Sequence, residues 1–477
     1  MEATSRAFKE NARQAMADAS LQRALGFMKT GFPERRLVAV GRLPEFDRLR
    51  DQARDIKNHT LEHLDFYLER FEAKVLETGG QVHWCRTPEE ARAAVLGICR
   101  RLGARTVTKG KSMIAEEIEL NQHLEENGIE PVETDLGEYI IQLRGEPPSH
   151  IIAPAVHLTK EDVTRAFKEN HTGLDPTRNI SEPRELCDEA RAILRPKFLA
   201  ADVGITGANF LIAETGSSVI VTNEGNGDLT QTLPKAHIVI ASLEKVVPTF
   251  EDAATILRVL ARSATGQEFS VYTTVSTGPK RPDDLDGPGE YHVVLLDNGR
   301  SAMLGTEFQD MLRCIRCAAC LNHCPVYATV GGHAYGWVYP GPMGAVLTPR
   351  LIGLAEAGHL PNASTFCGKC ESVCPMRIPL PGMMRAWRER EFQQKLSPLV
   401  QRSGLALWAF VAKRPALYRR LARWAMGALG RLGRVHGNFR ALPFAGGWTK
   451  GRDFPAPQGP TFHDLWQRRN RGTGGTR

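Results

Sequence analysis

Seven of the ten cysteines in this 477-residue chain fall between positions 314 and 374, in two related motifs. The first is Cys314-x2-Cys317-x2-Cys320-x3-Cys324-Pro325, and the second is Cys367-x2-Cys370-x3-Cys374-Pro375. Three cysteines at x2 spacing force the chain to curl so that each sulfur meets a different iron of one cubane. A fourth, three residues on and followed by proline, points away and serves the other cluster of a two-cluster protein. Pro325, with fixed φ and no N–H, helps turn the chain out of the site. The crossing rule therefore assigns Cys314, Cys317, Cys320 and Cys374 to one iron–sulfur cluster. The second cluster receives Cys324, Cys367 and Cys370. Ser364 stands where its fourth cysteine would be, so this cluster is either a [3Fe-4S] form or a [4Fe-4S] form completed by a non-cysteine ligand or water. His333 is one candidate for that ligand.

Other metals fit less well. Structural zinc takes its cysteines in pairs and has no use for a third at x2 spacing or for two Cys-Pro endings. A c-type haem needs histidine after Cys-x2-Cys, and neither pair has one. Dispersed disulfides do not cluster in this way. Cys85, Cys99 and Cys187 lie apart and read as buried thiols. Between the motifs, His333 to Pro342 forms a Gly/Pro-bounded loop whose aromatic residues either shield a cluster or fill a small helical core.

The elements that must hold these cysteines follow from composition and periodicity. A chain this long divides into several units, and 42% hydrophobic with 24% charged residues is globular usage. The net charge of +7 is modest and gives no sign of a nucleic-acid partner. The first twenty residues lack the apolar core of a signal peptide, and no apolar run approaches the roughly 18 residues of a membrane span. These readings predict a cytoplasmic protein, at most peripheral to the inner face of the membrane.

Residues 1–60 read as a polar helical region, including a helix over 43–57. Residues 61–300 alternate helix and strand. Leu61, Leu64, Leu68, Phe71 and Val75 mark an amphipathic helix ending at Gly79-Gly80. Thr87-Pro88-Glu89-Glu90 starts the next helix. Strands are predicted at 81–84, 105–108, 210–213, 219–221, 237–241 and 292–296, with a helix over 252–262. Such alternation implies a mainly parallel sheet covered on both faces. After Arg300 the strands end, and a helical cysteine-bearing domain occupies 301–392. Residues 393–477 read as a basic, Trp-rich helical region interrupted at Pro415, followed by a flexible Pro/Gly-rich tail. The hexapeptide at 6–11 recurs at 165–170, which reads as chance similarity between two exposed helices.

With both cysteine motifs placed, the chain resembles the lactate utilization protein B family over nearly its whole length. The residues that carry the likeness are Gly204–Ser217, Thr222–Gly227, Lys109–Met113, the cysteine motifs and Ala334–Pro342. The resemblance implies a multidomain α/β plus α protein. Its LUD domain would be of the ribose-5-phosphate isomerase/CoA-transferase type, followed by an α-helical ferredoxin domain. It also implies an electron-transfer subunit that works with two partner subunits in oxidising L-lactate to pyruvate, co-catalytic or without chemistry of its own.

Within the α/β part, ligands are expected at the carboxyl ends of strands. Glu214, Thr215, Gly216 and Ser217 form a turn that could cradle an anion. Lys109 and Lys111 could add positive charge at the helix start that follows. No Gly-x-Gly-x2-Gly fingerprint for a flavin or nicotinamide is present. Alternatives to the lactate reading are an iron–sulfur subunit for another 2-hydroxy acid such as glycolate, or a redox-sensing, ligand-binding enzyme acting through the LUD domain. The basic helical stretch, with Lys413, Arg414, Arg419, Arg420, Arg423, Arg431 and Arg434 among Leu407, Trp408 and Trp424, reads as a solvated face packed on its own domain, or as a surface for a partner or anionic lipid. Lipid contact would place the chain near a membrane quinone pool as electron acceptor.

Overall fold

The computed structural model describes residues 3–110, 112–175, 177–433, 435–442, 449 and 451–472. Ten strands in the first 300 residues are numbered in chain order. They are β1 (Gln81–Cys85), β2 (Thr106–Lys109), β3 (Glu130–Glu133), β4 (Val203–Gly207), β5 (Phe210–Ile212), β6 (Ser217–Thr222), β7 (Ala236–Ser242), β8 (Val246–Val247), β9 (Tyr272–Ser276) and β10 (Glu290–Leu296). Six of them make one sheet in the order β1-β10-β7-β4-β2-β3. Every pairing in it is parallel.

The strand pleat divides the apolar side chains between two cores. Ile238, Ile240, Val294 and Leu296 face one way, onto the helices Pro88–Arg101 and Leu120–Glu126. Val239, Ala241, Val293 and Leu295 face the other, onto Leu68, Phe71 and Val75 of the helix Leu64–Glu77. The sheet is therefore covered on both faces, as the alternation of elements predicts. Thr87 caps its helix through the Glu90 N–H, with Pro88 in the first turn. Thr249 and Asp252 cap the helix Phe250–Ala264 reciprocally.

Four strands lie outside the sequence expectation. β3 carries Pro131, which removes a ladder donor and is tolerated because β3 is the sheet edge. β4 is short and holds two glycines, yet it sits in mid-sheet. Gly204 is required there, since a Cβ would come 1.8 Å from the Thr230 carbonyl oxygen. β8 and β9 belong to a second sheet, β8-β5-β6-β9, in which only the β5–β8 pairing is parallel.

The first 62 residues fold as three helices, Phe8–Ala17, Ala19–Gly41 and Phe46–Glu62. Phe8, Leu25, Met28, Phe46 and Leu49 share a core with Ile256 and Leu260 and with Leu321, Tyr327, Met343 and Trp387. The cysteine-bearing segment is thus built into the same hydrophobic body as the amino-terminal helices. Both copies of the repeated hexapeptide are helical, but neither is a plain exposed face. Phe8 and Phe167 are each buried, because each fills a core position of its own helix.

The chain divides into two compact units, 1–390 and 391–477. The second contains the helices Leu399–Ala412, Pro415–Leu432 and Phe462–Gly472. Pro415 occupies the first turn of its helix, so the interruption falls at Lys413-Arg414. Strands do not end at Arg300: Asn438–Phe439 pairs antiparallel with Phe454–Pro455, which orders part of the Pro-rich tail. Arg434 and residues 473–477 of the expected tail lie outside the described residues.

Candidate functional site

Each position of the second cysteine motif lies 50 residues after its counterpart in the first: 367 after 317, 370 after 320, 374 after 324, with Ser364 after Cys314. The backbone repeats the correspondence. Arg316 and Ala318 flank Cys317 with φ of 58° and 60°, while Phe366 and Gly368 flank Cys367 with φ of 54° and 76°. Three of these four are not glycine, and left-handed backbone costs such residues about 1–2 kcal/mol each. The curl that aims three sulfurs inward is held against that cost by the packing around it.

Cys314, Cys317, Cys320 and Cys374 line one cavity, walled by Ile315, Met343, Met376 and Ile378. Cys374 comes to this cavity from the far motif. Its thiol feels the charge of Cys314, and Cys317 feels that of Cys374 and Cys314. Cys324 lies instead within reach of Cys367, and Cys370 within reach of both. Burial pushes Cys317 and Cys320 well above the ordinary thiol range and Cys370 up to about 12. Such thiols stay protonated unless a metal displaces the proton. Among the described residues no three His, Cys, Asp or Glu side chains converge closely enough to hold a single metal ion. Sulfurs spread around a cavity suit a multi-iron cluster better than one zinc.

Backbone N–H groups are aimed at the sulfurs. Ala319 serves Cys317, Met376 and Ile378 serve Cys374, Val326 and Tyr327 serve Cys324, and Lys369 serves Cys367. Donors on ligand sulfurs are one means by which a protein sets cluster potential. The Tyr335 hydroxyl is buried against the Cys324 sulfur and also within reach of Cys320. A cluster sulfur would accept from it. The loop aromatics therefore both shield the site and fill the core. Tyr335 and Tyr339 are fully buried, and Trp337 is half-buried. Ser364 Oγ accepts the Phe366 N–H. His333 is exposed, with Nε2 committed to the Pro147 carbonyl.

A second feature abuts the first. A cavity of about 440 Å³ opens at the carboxyl ends of β2, β3, β4 and β7, where Ser112, Asp135, Asn209 and Lys245 line it. Its opposite wall is Ile315, Arg316, Cys317 and Tyr339. The ligand-binding edge of the parallel sheet thus faces the first cysteine motif directly. Beneath lies a buried charge network. Glu117 accepts from Arg300 Nη1 and Nη2 at 2.9 and 2.5 Å, from Asn298 at 2.7 Å and from the Tyr339 hydroxyl at 2.6 Å. Glu244 lies 3.4 Å from Arg300 and 3.3 Å from Arg316. Lys57 donates to the Glu244 and Val246 carbonyls, and its burial lowers the ammonium to about 7.

The α/β residues singled out from sequence are placed elsewhere. Lys109 is buried at the end of β2 with its charge spent on Glu116 at 2.5 Å and Glu133 at 2.7 Å, so it cannot serve an incoming anion. Lys111 lies outside the described residues. Glu214 accepts the Phe250 N–H at the start of a helix. Thr215 and Ser217 bond to one another, Ser217 bonds to Thr277, and Gly216 packs against the Lys74–Val75 backbone. None of these four lines the cavity. Lys245 and Arg316 do, and the sequence reading missed both. Arg316 carried a local signal, a cation inside the first motif, whereas Lys245 reaches the site only through the fold. Of the scattered cysteines, Cys85 and Cys99 are buried, but Cys187 is exposed on the solvent face of the helix Pro183–Ala200.

Family models match in three consecutive stretches: LUD domain over 68–296, 4Fe-4S dicluster domain over 310–378, and lactate utilisation protein B, C-terminal, over 383–471. A lactate utilization protein B from Bacillus licheniformis is 42% identical over 475 residues, covering 98% of each chain. One from Bacillus subtilis strain 168 is 43% identical over 460 residues, covering 96% of this chain and 95% of the relative. A crystal structure of a DUF162 family protein from Deinococcus radiodurans overlaps with a TM-score of 0.26 at 15% identity, over 49% of this chain and 98% of that one.

Proposed function

The chain belongs to the lactate utilization protein B family, and from that premise we propose that it is the iron–sulfur electron-transfer subunit of a complex that oxidises L-lactate to pyruvate. The observation that carries this reading is the contact of a ligand-sized cavity at the sheet's carboxyl edge with Cys317 of the first motif. Cys314, Cys317, Cys320 and Cys374 would hold one cluster. Cys324, Cys367 and Cys370 would hold the second, with a fourth ligand other than cysteine or with three irons. Bound there, the clusters supply one-electron transfer. Cys320 and Cys324 stand four residues apart, which keeps their backbones within about 14 Å and the two sites close together. Burial of five of the seven thiols, with backbone N–H groups on several of the sulfurs, limits water and tunes the potential.

In this reading 1–60 is a helical region, 61–300 an LUD domain of the ribose-5-phosphate isomerase/CoA-transferase type, 301–392 an α-helical ferredoxin domain and 393–477 a basic carboxyl-terminal region. Two partner subunits complete the complex. The chain works in the cytoplasm at the inner membrane face, where quinone takes the electrons. Among the described residues no helix is long and apolar enough to cross a membrane. The helices Leu399–Ala412 and Pro415–Leu432 have no buried residue among those described and expose Leu407, Trp408 and Trp424 beside basic side chains. A basic amphipathic pair of this kind suits anionic lipid.

The test is anaerobic. Iron and sulfide should be present together, and the EPR signals of reduced clusters should appear with L-lactate only when the partner subunits are added. Oxidation of lactate by this chain alone would favour an enzymatic LUD domain, a reading to which the cavity lends support. Zinc without sulfide would overturn both.

A further inference from the structure

At its inner end the cavity meets two cations. Lys245 is 7% exposed, follows β7 directly, and has no hydrogen-bond or ion-pair partner among the described residues. The Arg316 side chain is 9% exposed, lies over the Tyr339 ring at 5.1 Å, and touches Glu244 with one nitrogen at 3.3 Å. Its Nη1 is buried without a partner. A buried guanidinium N–H without an acceptor is costly unless something satisfies it, and the Lys245 ammonium, which lines the same cavity, has its charge available there. The other charged residues on the cavity wall, Asp135 and Glu224, accept backbone N–H groups of the helix Leu136–Arg144. The remaining wall is largely apolar, with Ile114, Ile151, Ile240 and Leu260.

We propose that this cavity is a binding site for a small organic carboxylate, whose two oxygens are held by Lys245 and Arg316 while its body lies along the apolar wall beside Cys317. The volume falls in the range of ligand pockets, and a guanidinium offers the planar donor pair that a carboxylate matches. The position matters as much as the charge. The same two cations lie within electrostatic reach of Cys314, so a bound carboxylate would be held at the edge of the first cluster site. The identification of that carboxylate as a 2-hydroxy acid rests on the electron-transfer reading above. The anion site itself does not.

The experiment is calorimetric titration of the anaerobic full-length holoprotein with L-lactate, acetate and the neutral lactamide. Both carboxylates should bind saturably and lactamide should not. Lys245→Met should weaken carboxylate binding about 10- to 100-fold, the loss of one charge-assisted contact. Lys245→Arg should restore most of it, with iron content unchanged. A readout on the unaltered protein guards against a misfolded variant: reductive methylation of Lys245, followed by mass spectrometry, should slow several-fold under saturating lactate while the exposed Lys160 is unaffected. Equal binding by Lys245→Met, or a methylation rate indifferent to lactate, would overturn the proposal and leave the two cations as counter-charges for the thiolates. The two readings fail separately. Normal lactate-driven cluster reduction in Lys245→Met refutes the anion site, whereas carboxylate binding with clusters that never reduce in the presence of the partners refutes the electron-transfer role.

Discussion

Glu117 is the side chain on which the joint between the sheet and the cysteine segment depends, and Glu117→Gln is the sharpest way to test it. Its carboxylate lies on the short helix Met113–Glu117, fully buried, and accepts four hydrogen bonds, two from Arg300 after β10 and one from Tyr339 in the loop between the cysteine motifs. Glutamine keeps the shape but removes the charge and turns an N–H toward donors. Arg300 would lose the Glu117 charge and one of the two acceptors, keeping one amide oxygen, the Asp297 carbonyl at 3.1 Å and Glu244 at 3.4 Å. Breaking one side of a buried pair costs about 3–5 kcal/mol. For the compact unit 1–390, at about 2.1 cal/mol/K of unfolding entropy per residue, that is a loss of about 4–6 °C in melting temperature. Calorimetry of the anaerobic holoprotein measures it. Tyr339→Phe should cost about 1.5–3 kcal/mol alone, and the double variant should cost less than the sum, because both remove the same contact. The pH dependence has a definite sign. Burial would raise the Glu117 pKa, but Arg300 outweighs it and holds the carboxyl below the usual range. Its contribution is therefore full above the unfolded carboxylate pKa of about 4.3 and is lost as pH falls through the lower folded value. The gap between wild type and Glu117→Gln should close on acidification below about pH 4. A melting shift under about 2 °C at neutral pH, or a gap that widens in acid, would refute the reasoning.

Three further outcomes are expected. Cys374→Ser should cut bound iron from about seven or eight to about three or four atoms per chain and remove one reduced EPR signal, as the proposed role of Cys374 in the distant motif's cluster requires; unchanged iron by chelator assay would contradict the crossing. Gly204→Ala places a methyl against the Thr230 carbonyl, where backbone must move. It should lower stability by at least about 3 kcal/mol in denaturant titration, more than Gly97→Ala, whose Cβ meets open space. Replacing Lys413, Arg414, Arg420 and Arg431 by glutamine should weaken co-sedimentation with anionic vesicles about 100-fold or more at low salt, at about 1 kcal/mol per basic residue. Retention of binding would locate the lipid contact elsewhere.

The iron–sulfur motifs were legible because the chemistry is written in local spacing. So was the covered parallel sheet, whose long apolar strands β7 and β10 and capped helices announce themselves. β4 was not, since five residues with two glycines carry too little pattern, and its central place comes from its neighbours. Lys109 misled for a related reason. Its partner Glu133 lies 24 positions away across a strand pairing, so a buried, neutralised lysine reads locally as a free one. Lys245 and Arg316 meet only because the cysteine segment folds back over the sheet edge, a juxtaposition no window of sequence contains.

The amino-terminal helices impose an order on biosynthesis. Arg50 donates to the carbonyls of Ser372 and Cys374, Arg36 to that of Val373, Ser5 to that of Tyr335, and Thr4 N–H to Gly336. The helical segment before the sheet therefore leaves the ribosome ahead of the cysteine segment it clasps. At about 5–20 residues per second, its partners emerge roughly 20–70 s later. Ile256 and Leu260 arrive part-way through that interval, and until the cysteine segment follows, the shared core around Phe8, Leu25 and Phe46 is only partly covered. The nascent chain is thus a clamp that closes in stages, and the arrival of the stretch around Cys374, whose carbonyl Arg50 holds, is the event that shuts it.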